Sequence, residues 1–397
     1  MAKLTTLNNR VRHRGQNADG NVTVSQEWAM SPSAIAFEPA GGPLITIAIP
    51  TFNRAELLKG CIHSALSQTY ENIEIVVSDN ASTDDTAKVL QDFKDKRLRA
   101  MKQETNIGLL PNWNACLAAA RGEYVVFVSD DDRISPRFVE RCVDVIGKQS
   151  QVPIVVALSN FHISSSGHTK PARTSKHIGS GLRNGIDVLL EYLTDKITVA
   201  MCSVMMRTEV LRSRGGIPLD LPHTADVAAW VPLLFEGKVG FVNEACTTAY
   251  FHKGTETARL SVAQVVSDGG KVASLISRLA EERIKVTSLR EELKLQAKRC
   301  FARRALVCLT DHRSAGARLL EISKFVWRLR GDLMIANKSS VLRFAAIMLC
   351  PKPIAERLRY LRRAFQEGWQ ERQRPSNPDE AFSARTTHAT RSRARSA

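Results

Sequence analysis

The chain is poor in the signals that would assign a class at once. Its eight cysteines, at positions 61, 116, 142, 202, 246, 300, 308 and 350, form no C-x-x-C pair and no zinc-ligand spacing. That argues against a disulfide framework or a zinc module, and cysteines among apolar neighbours, such as Cys61, Cys116 and Cys142, read as small core residues in a reducing cytosol. The amino end, MAKLTTLNNRVRHRGQNADG, has no continuous apolar segment, so a secretory signal is not expected. The longest apolar run near the other end, Phe344 to Cys350, is too short to cross a bilayer. No G-x-G-x-x-G follows the first strand-like segment and no G-x-x-x-x-G-K-[ST] closes any strand, which disfavours a dinucleotide-binding fold and a P-loop NTPase. A sugar nucleotidyltransferase would place a glycine-rich basic loop after that first strand, where PTFNR stands instead.

What is present is an ordinary globular composition with an unusual charge. The hydrophobic fraction is 44% and the charged fraction 24%, over 397 residues, enough for one large domain with an appendage or for two domains. The formal net charge is +16, and residues 341–397 carry twelve Lys or Arg against five Asp or Glu. A basic end suits an anionic lipid surface or plain solubility. A nucleic-acid-binding protein is the competing class, but the charge lies largely in a tail without interleaved aromatics, zinc fingers or an RNP pattern.

The most informative stretch is YVVFVSDDDRISP, Tyr124 to Pro136. Its apolar run reads as a buried strand that empties into Asp130, Asp131 and Asp132. Adjacent carboxylates at a strand's end repel one another, and a divalent cation relieves that repulsion economically. The plainer reading is a solvated turn that caps the next helix, with Asp132 or Ser135 as N-cap and Pro136 as first helical residue.

Upstream, strand and helix patterns alternate. Residues 1–43 are polar and aperiodic and read as a disordered arm. Leu44–Pro50 and Ile73–Asp79 read as buried strands, Ala55–Gln68 as a helix, and Thr83 to about Phe93 as a second helix capped by Ser82 or Thr83. A short strand near Leu98–Met101 and a helix over Leu110–Ala120 complete the run, which specifies a parallel sheet with right-handed crossovers. In such sheets ligands bind beyond the carboxyl ends of the strands. Three of those ends carry polar groups here: Thr51, Asn53 and Arg54, then Asp79, Asn80 and Ser82, then the three acids. They suit a nucleotide cleft, with Asp79 accepting from a base or ribose, although Asp79 alone equally suits an Asx-turn.

Taken in order, IPTFNRAELL, SQTYENIEIVVSDNASTDDT and NIGLLPNWNACLAAARGEYVVFVSDDDRISP resemble the nucleotide-sugar half of a family 2 glycosyltransferase. The resemblance implies a GT-A fold, α/β with a central, mostly parallel sheet and here a C-terminal helical region, and an inverting transfer from a nucleoside-diphosphate sugar to an acceptor hydroxyl. It implies a transferase domain over 44–260, divided into a donor half 44–150 and an acceptor half 151–260. It assigns Thr51, Asn53, Arg54, Asp79, Asn106 and Asp130 to the nucleotide. Asp131, with Asp130, Asp132 and His252, would hold Mn²⁺ or Mg²⁺. The family writes its acidic motif Asp-x-Asp, so a run of three leaves the register open, with Asp131 favoured as the direct ligand. In LPHTADVAAW the family's acidic pair is represented by Asp226 alone, Ala225 standing where Glu is usual, and Asp226 is the implied general base. Satisfying the first turn of a helix is its structural alternative, and a catalytically degenerate nucleotide-sugar-binding protein is the alternative for the chain.

Downstream, Ser164–Ser180 reads as a polar flap and Val199–Met206 as a strand under the acceptor. Residues 261–370 read as helices, Ile276, Leu279, Val286, Leu289 and Leu293 recurring at helical spacing, with packing on the catalytic domain expected. Residues 341–365 carry Arg357, Arg359, Arg362 and Arg363 among apolar residues, with Tyr360, Phe365 and Trp369 in or just beyond them, which suits peripheral attachment to the inner face of the cytoplasmic membrane. Residues 371–397 read as a disordered basic tail. A glycan or lipid-linked acceptor in bacterial surface polysaccharide assembly, and no nucleic-acid partner, complete the expectation.

Overall fold

The fold is described from a computed structural model, over residues 42–147, 152–252, 254–255 and 260–314, with a few helical residues between 322 and 345. The expectations for the amino-terminal arm, the basic tail and almost all of residues 341–365 fall outside those residues.

Strands β1 (Ile45–Thr51), β2 (Ile73–Asp79), β3 (Leu98–Lys102) and β4 (Tyr124–Phe127) are joined by helices α1 (Ala55–Leu66), α2 (Thr86–Asp92) and α3 (Leu109–Ala119). They pair in parallel, in the order β3-β2-β1-β4. Beyond β4 the sheet turns mixed. The two-residue β5 (Arg133–Ile134) and helix α4 (Phe138–Ile146) lead into β6 (Ile154–Ile163), hairpin strand β7 (His168–Lys170), β8 (Gly181–Asn184) and α5 (Gly185–Leu193). Then come β9 (Val204–Arg207), α6 (Thr208–Ser213), α7 (Ala225–Trp230) and β10 (Lys238–Phe251). β9 lies antiparallel between β4 and β6, and β10 runs parallel to β6.

Why these segments form strands follows from burial on both faces. Along β1, Ile45, Ile47 and Ile49 face a cluster with Leu58, Cys61 and Ile62 of α1 and Phe138 of α4, while Ala48 faces Trp113 and Cys116 of α3. β4 divides the same way, Tyr124 and Val126 to one side, Val125 and Phe127 to the other. Helices therefore cover both surfaces, and a nearly continuous apolar run is what such a strand requires. Six of the described cysteines are free and buried in these clusters, as expected of core thiols.

Two helix starts differ from the sequence expectation. α2 begins at Thr86, not Thr83, because local and tertiary bonds hold the preceding turn: Asp84 accepts from the nearby Thr86 amide and from the distant Ala55 amide, and Asp79 accepts from the Ser82 amide three residues on. α4 begins at Phe138 rather than Pro136, because Arg133 and Ile134 pair with β10 and the Ser135 amide donates to the Cys246 carbonyl. Neither Asp132 nor Ser135 caps it. The expected flap over Ser164–Ser180 is a β6-β7 hairpin followed by a pinned segment, in which Ser175 bonds the buried Glu191 and its amide donates to Asn243. Val199–Met206 is strand only from Val204, after a 3₁₀ turn at Met201–Ser203.

Helices α8 (Val262–Arg283) and α9 (Thr287–Ser314) follow. Val272, Ile276, Leu279 and Ala280 of α8, with Leu293, Ala297, Cys300 and Phe301 of α9, share one apolar cluster with α5 and α7. Compact units span residues up to Ala305 and from Leu306 onward. No helix among the described residues is long and apolar enough to cross a membrane.

Candidate active site

Register brings the polar strand ends together. Thr51 pairs with Asp79 and Asp79 with Lys102, so three parallel strands finish at one level, beside the end of β4. Just past β1, Asn53 adopts φ 52°, a left-handed conformation that asparagine tolerates. Its side chain accepts from the Thr83 amide and its amide donates to Ser82 Oγ, each at 2.8 Å, tying the β1 and β2 loops together. Asp79 is buried at 1% exposure, yet Lys102 approaches to 3.9 Å. The Asx-turn reading of Asp79 thus has a geometric counterpart on Oδ1, while Lys102 stands near Oδ2. Asn106 is exposed and braces Asn80, whose amide group reaches its Oδ1 at 2.9 Å.

The three acids are nearly buried, and each has a different environment. Asp130 Oδ2 accepts from the Thr51 hydroxyl at 2.8 Å and its Oδ1 from Arg54 Nη1 at 2.9 Å. The same Arg54 nitrogen reaches Asp131 Oδ2 at 3.1 Å, while Nη2 donates to the Gly254 carbonyl at 2.6 Å. His252 Nε2 also meets Asp131 Oδ2, at 2.9 Å. Because the Gly254 amide donates to His252 Nδ1, Nε2 is the nitrogen that carries the proton in this arrangement. Asp132 turns toward β10, accepting from the Tyr250 amide at 3.0 Å. Burial pushes the Asp130 carboxyl up to about 6, Arg54 opposing and Asp131 reinforcing the shift. Burial raises Asp132 as well, with the charge of Asp131 adding to it.

An arginine thus bridges the first two carboxylates, where the sequence suggested a metal or a solvated capping turn. No group of three or more His, Cys, Asp or Glu side chains converges to hold an ion among the described residues, so the chain offers no closed metal cage. Asp131 with His252 beside it is an open edge of the sort that a hard divalent ion completes with substrate phosphate oxygens, and the donor set fits that use. Removing Arg54 leaves buried carboxylates without their counter-ion. We expect Arg54→Met to destabilise the fold by roughly 1–3 kcal/mol, between the costs for exposed and buried pairs, and added Mn²⁺ to recover part of the lost melting temperature.

Asp226 lies in the first turn of α7, half-buried, with no hydrogen bond or ion pair to the acid cluster among the described residues. Burial raises its carboxyl above the usual range, opposed by the Val227 backbone and then by Arg304. Phe52 is the residue that sequence reasoning passed over. It is 39% exposed, unusual for a phenylalanine flanked by a strand end and a left-handed asparagine. The signal was available in PTFNR, where an aromatic interrupts a row of polar positions.

The mixed α/β sheet, with buried acids at the carboxyl edge of its parallel half, is a GT-A fold. Residues 46–212 match the family described as glycosyl transferase family 2. WfaP of Escherichia coli, a UDP-Glc:α-D-GlcNAc-diphosphoundecaprenol β-1,3-glucosyltransferase, is 26% identical over 54% of this chain and 80% of its own length. The chondroitin synthase of E. coli is 26% identical over 62% of this chain, which spans only 34% of that enzyme. Among solved structures, S. aureus TarS in complex with UDP-GlcNAc superimposes with TM-score 0.58 at 17% identity, covering 75% of this chain and 82% of that one. Over this part of its length the chain is similar to glycosyltransferases, bacterial polysaccharide synthases among them.

Proposed function

We propose that the protein is an inverting glycosyltransferase that moves one sugar from a nucleoside-diphosphate donor to a hydroxyl of a glycan or lipid-linked acceptor, in assembly of a bacterial surface polysaccharide. The observation that carries this reading is the meeting of Arg54 and His252 on one oxygen of Asp131, at the strand edge where a diphosphate would lie. Thr51, Asn53, Asp79 and Asn106 line the nucleoside side, and Phe52 offers a face for the base. Asp130 orients Arg54 through its own ion pair, so the guanidinium can turn to phosphate when donor arrives. Asp131 would hold a Mg²⁺ or Mn²⁺ ion, joined by His252 Nε2 once that nitrogen has given up its proton, and the ion would supply charge neutralisation for the departing diphosphate. Asp132 supports the edge by fixing the β10 backbone. Asp226 accepts the acceptor's proton as that oxygen attacks the anomeric carbon opposite the leaving group, through an oxocarbenium-like state.

Support for a lipid-linked acceptor comes from the activity of WfaP and from the basic, amphipathic carboxyl-terminal sequence. Attachment to the inner membrane face is part of the proposal. The test is a screen of common UDP-, GDP- and dTDP-sugars for nucleotide release, with Mn²⁺ or with chelator, in parallel with Asp131→Asn and Asp226→Asn. Turnover of one donor that both substitutions suppress supports the reading, and turnover indifferent to both overturns it. Chelator-resistant turnover that still needs Asp131 would assign charge neutralisation to Arg54 and His252 instead, a variant favoured by the arginine bridge. Phe52→Ala is expected to raise the donor KM by roughly 5- to 100-fold, the 1–3 kcal/mol typical of a base stacked on an aromatic ring, with kcat little changed in initial-rate measurements.

A further inference from the structure

Asp130 and Asp131 meet the surface through two other side chains. The acids are 4% and 6% exposed, against 20% for Arg54 and 23% for His252, so the arginine and the histidine are their outer partners. Arg54 is held there by three acceptors. Its Nη1 lies 2.9 Å from Asp130 Oδ1 and 3.1 Å from Asp131 Oδ2, and its Nη2 donates to the Gly254 carbonyl at 2.6 Å. The other Asp130 oxygen takes the Thr51 hydroxyl, and Asp131 Oδ2 also takes His252 Nε2. Three of the four oxygens of this pair are thus engaged, Asp131 Oδ2 twice over. A Mg²⁺ ion sits about 2.1 Å from its oxygen ligands, so an ion on Asp131 Oδ2 would lie within about 5 Å of Arg54 Nη1, itself 3.1 Å from that atom. Like charges at that range repel, the more so beside nearly buried groups.

We infer that Arg54 competes with the divalent ion for Asp131: its guanidinium holds the carboxylate pair until a diphosphate draws it away, and uptake of the ion is thereby tied to the nucleotide. The inference rests on the reading of Asp131 as a metal ligand. A guanidinium suits such an exchange, because its planar fork of N–H donors matches carboxylate and phosphate alike. Phosphate that takes Arg54 frees Asp131 Oδ2 at the moment when phosphate oxygens arrive to complete the ion's shell, which needs only one or two protein carboxylates. Reciprocity follows: the factor by which nucleotide raises ion affinity is the factor by which the ion raises nucleotide affinity. A purely structural arginine predicts the opposite sign. If Arg54 only propped the acids in place, its loss would loosen them and weaken ion binding.

The experiment follows Mn²⁺ binding to the full-length protein by electron paramagnetic resonance, first without nucleotide and then with UDP, GDP and dTDP in turn. In Arg54→Met the nucleotide-free affinity for Mn²⁺ is expected to rise by roughly 10-fold or more, the scale on which a neighbouring cation alters the proton affinity of a carboxylate. The further gain brought by nucleotide should shrink, and Arg54→Lys, which keeps a cation in reach, should stay near wild type. A nucleotide-free affinity in Arg54→Met equal to or weaker than wild type overturns the inference, while Mn²⁺ uptake with nucleotide in the same samples leaves the metal reading of the site standing. Absence of Mn²⁺ uptake under every condition removes the metal reading and the inference with it. If circular dichroism finds Arg54→Met unfolded, wild-type protein carries the test. The ¹⁵Nε signal of Arg54, assigned by its loss in Arg54→Lys, must then move when Mg²⁺ and nucleotide are added together, and a signal that stays in place overturns the inference.

Discussion

Asp226→Asn is expected to lower sugar transfer by roughly 10²–10⁴-fold, the usual contribution of a positioned general base, with little change in donor KM. Initial rates against donor concentration make the distinction, because the acceptor's proton is moved in the transition state and the donor is bound without it. The pH profile carries the sign. The base works ionised, so the rate rises with pH, and burial places that rise above the ordinary aspartate range. Stability moves the other way. A carboxyl whose folded pKa exceeds its unfolded value stabilises fully below the unfolded pKa, and that contribution is lost as pH rises through the folded one. Asp226→Asn should therefore melt higher than wild type at pH 8, with a smaller difference at pH 5. A substitution that raises stability while removing activity marks a residue retained for chemistry.

Asp131→Asn should lower kcat/KM for the donor on the order of 10³-fold, several kcal/mol of lost charge stabilisation at about 1.4 kcal/mol per tenfold. Calorimetry should find metal-dependent binding of nucleoside diphosphate in wild type and none in Asp131→Asn. The adjacent acids give the contrast. Asp132 spends one oxygen on the Tyr250 amide, which an asparagine oxygen can still accept, so Asp132→Asn should cost stability more than catalysis. Asp130 holds Thr51 and Arg54, so Asp130→Asn should weaken donor binding without removing the response to metal. If Asp132→Asn proved the inactive variant and Asp131→Asn the active one, the register of the motif would shift by one residue.

The parallel half of the sheet was legible because its strands are buried on both faces, which writes them as unbroken runs such as ITIAIP and YVVFV. The helix starts were less legible. Ser82, Thr83 and Ser135 have the chemistry of caps, but the Ser82 amide is taken by Asp79 three residues earlier, and those of Thr83 and Ser135 by Asn53 and Cys246 from remote segments. Local preference yields there to tertiary bonds. The same reason hid the order of strands beyond β4, since β9 and β10 enter the sheet by pairings far apart in sequence.

The sequence by itself determined the resemblance to glycosyl transferase family 2, the alternating α/β domain and the three polar strand ends, because burial periodicity and motif spacing are local properties of the chain. Only the tertiary structure decided that Arg54 spans two of the acids and that His252 arrives 121 residues later at the same oxygen of Asp131. Coulomb interactions between side chains depend on distance in space, which residue numbers do not encode.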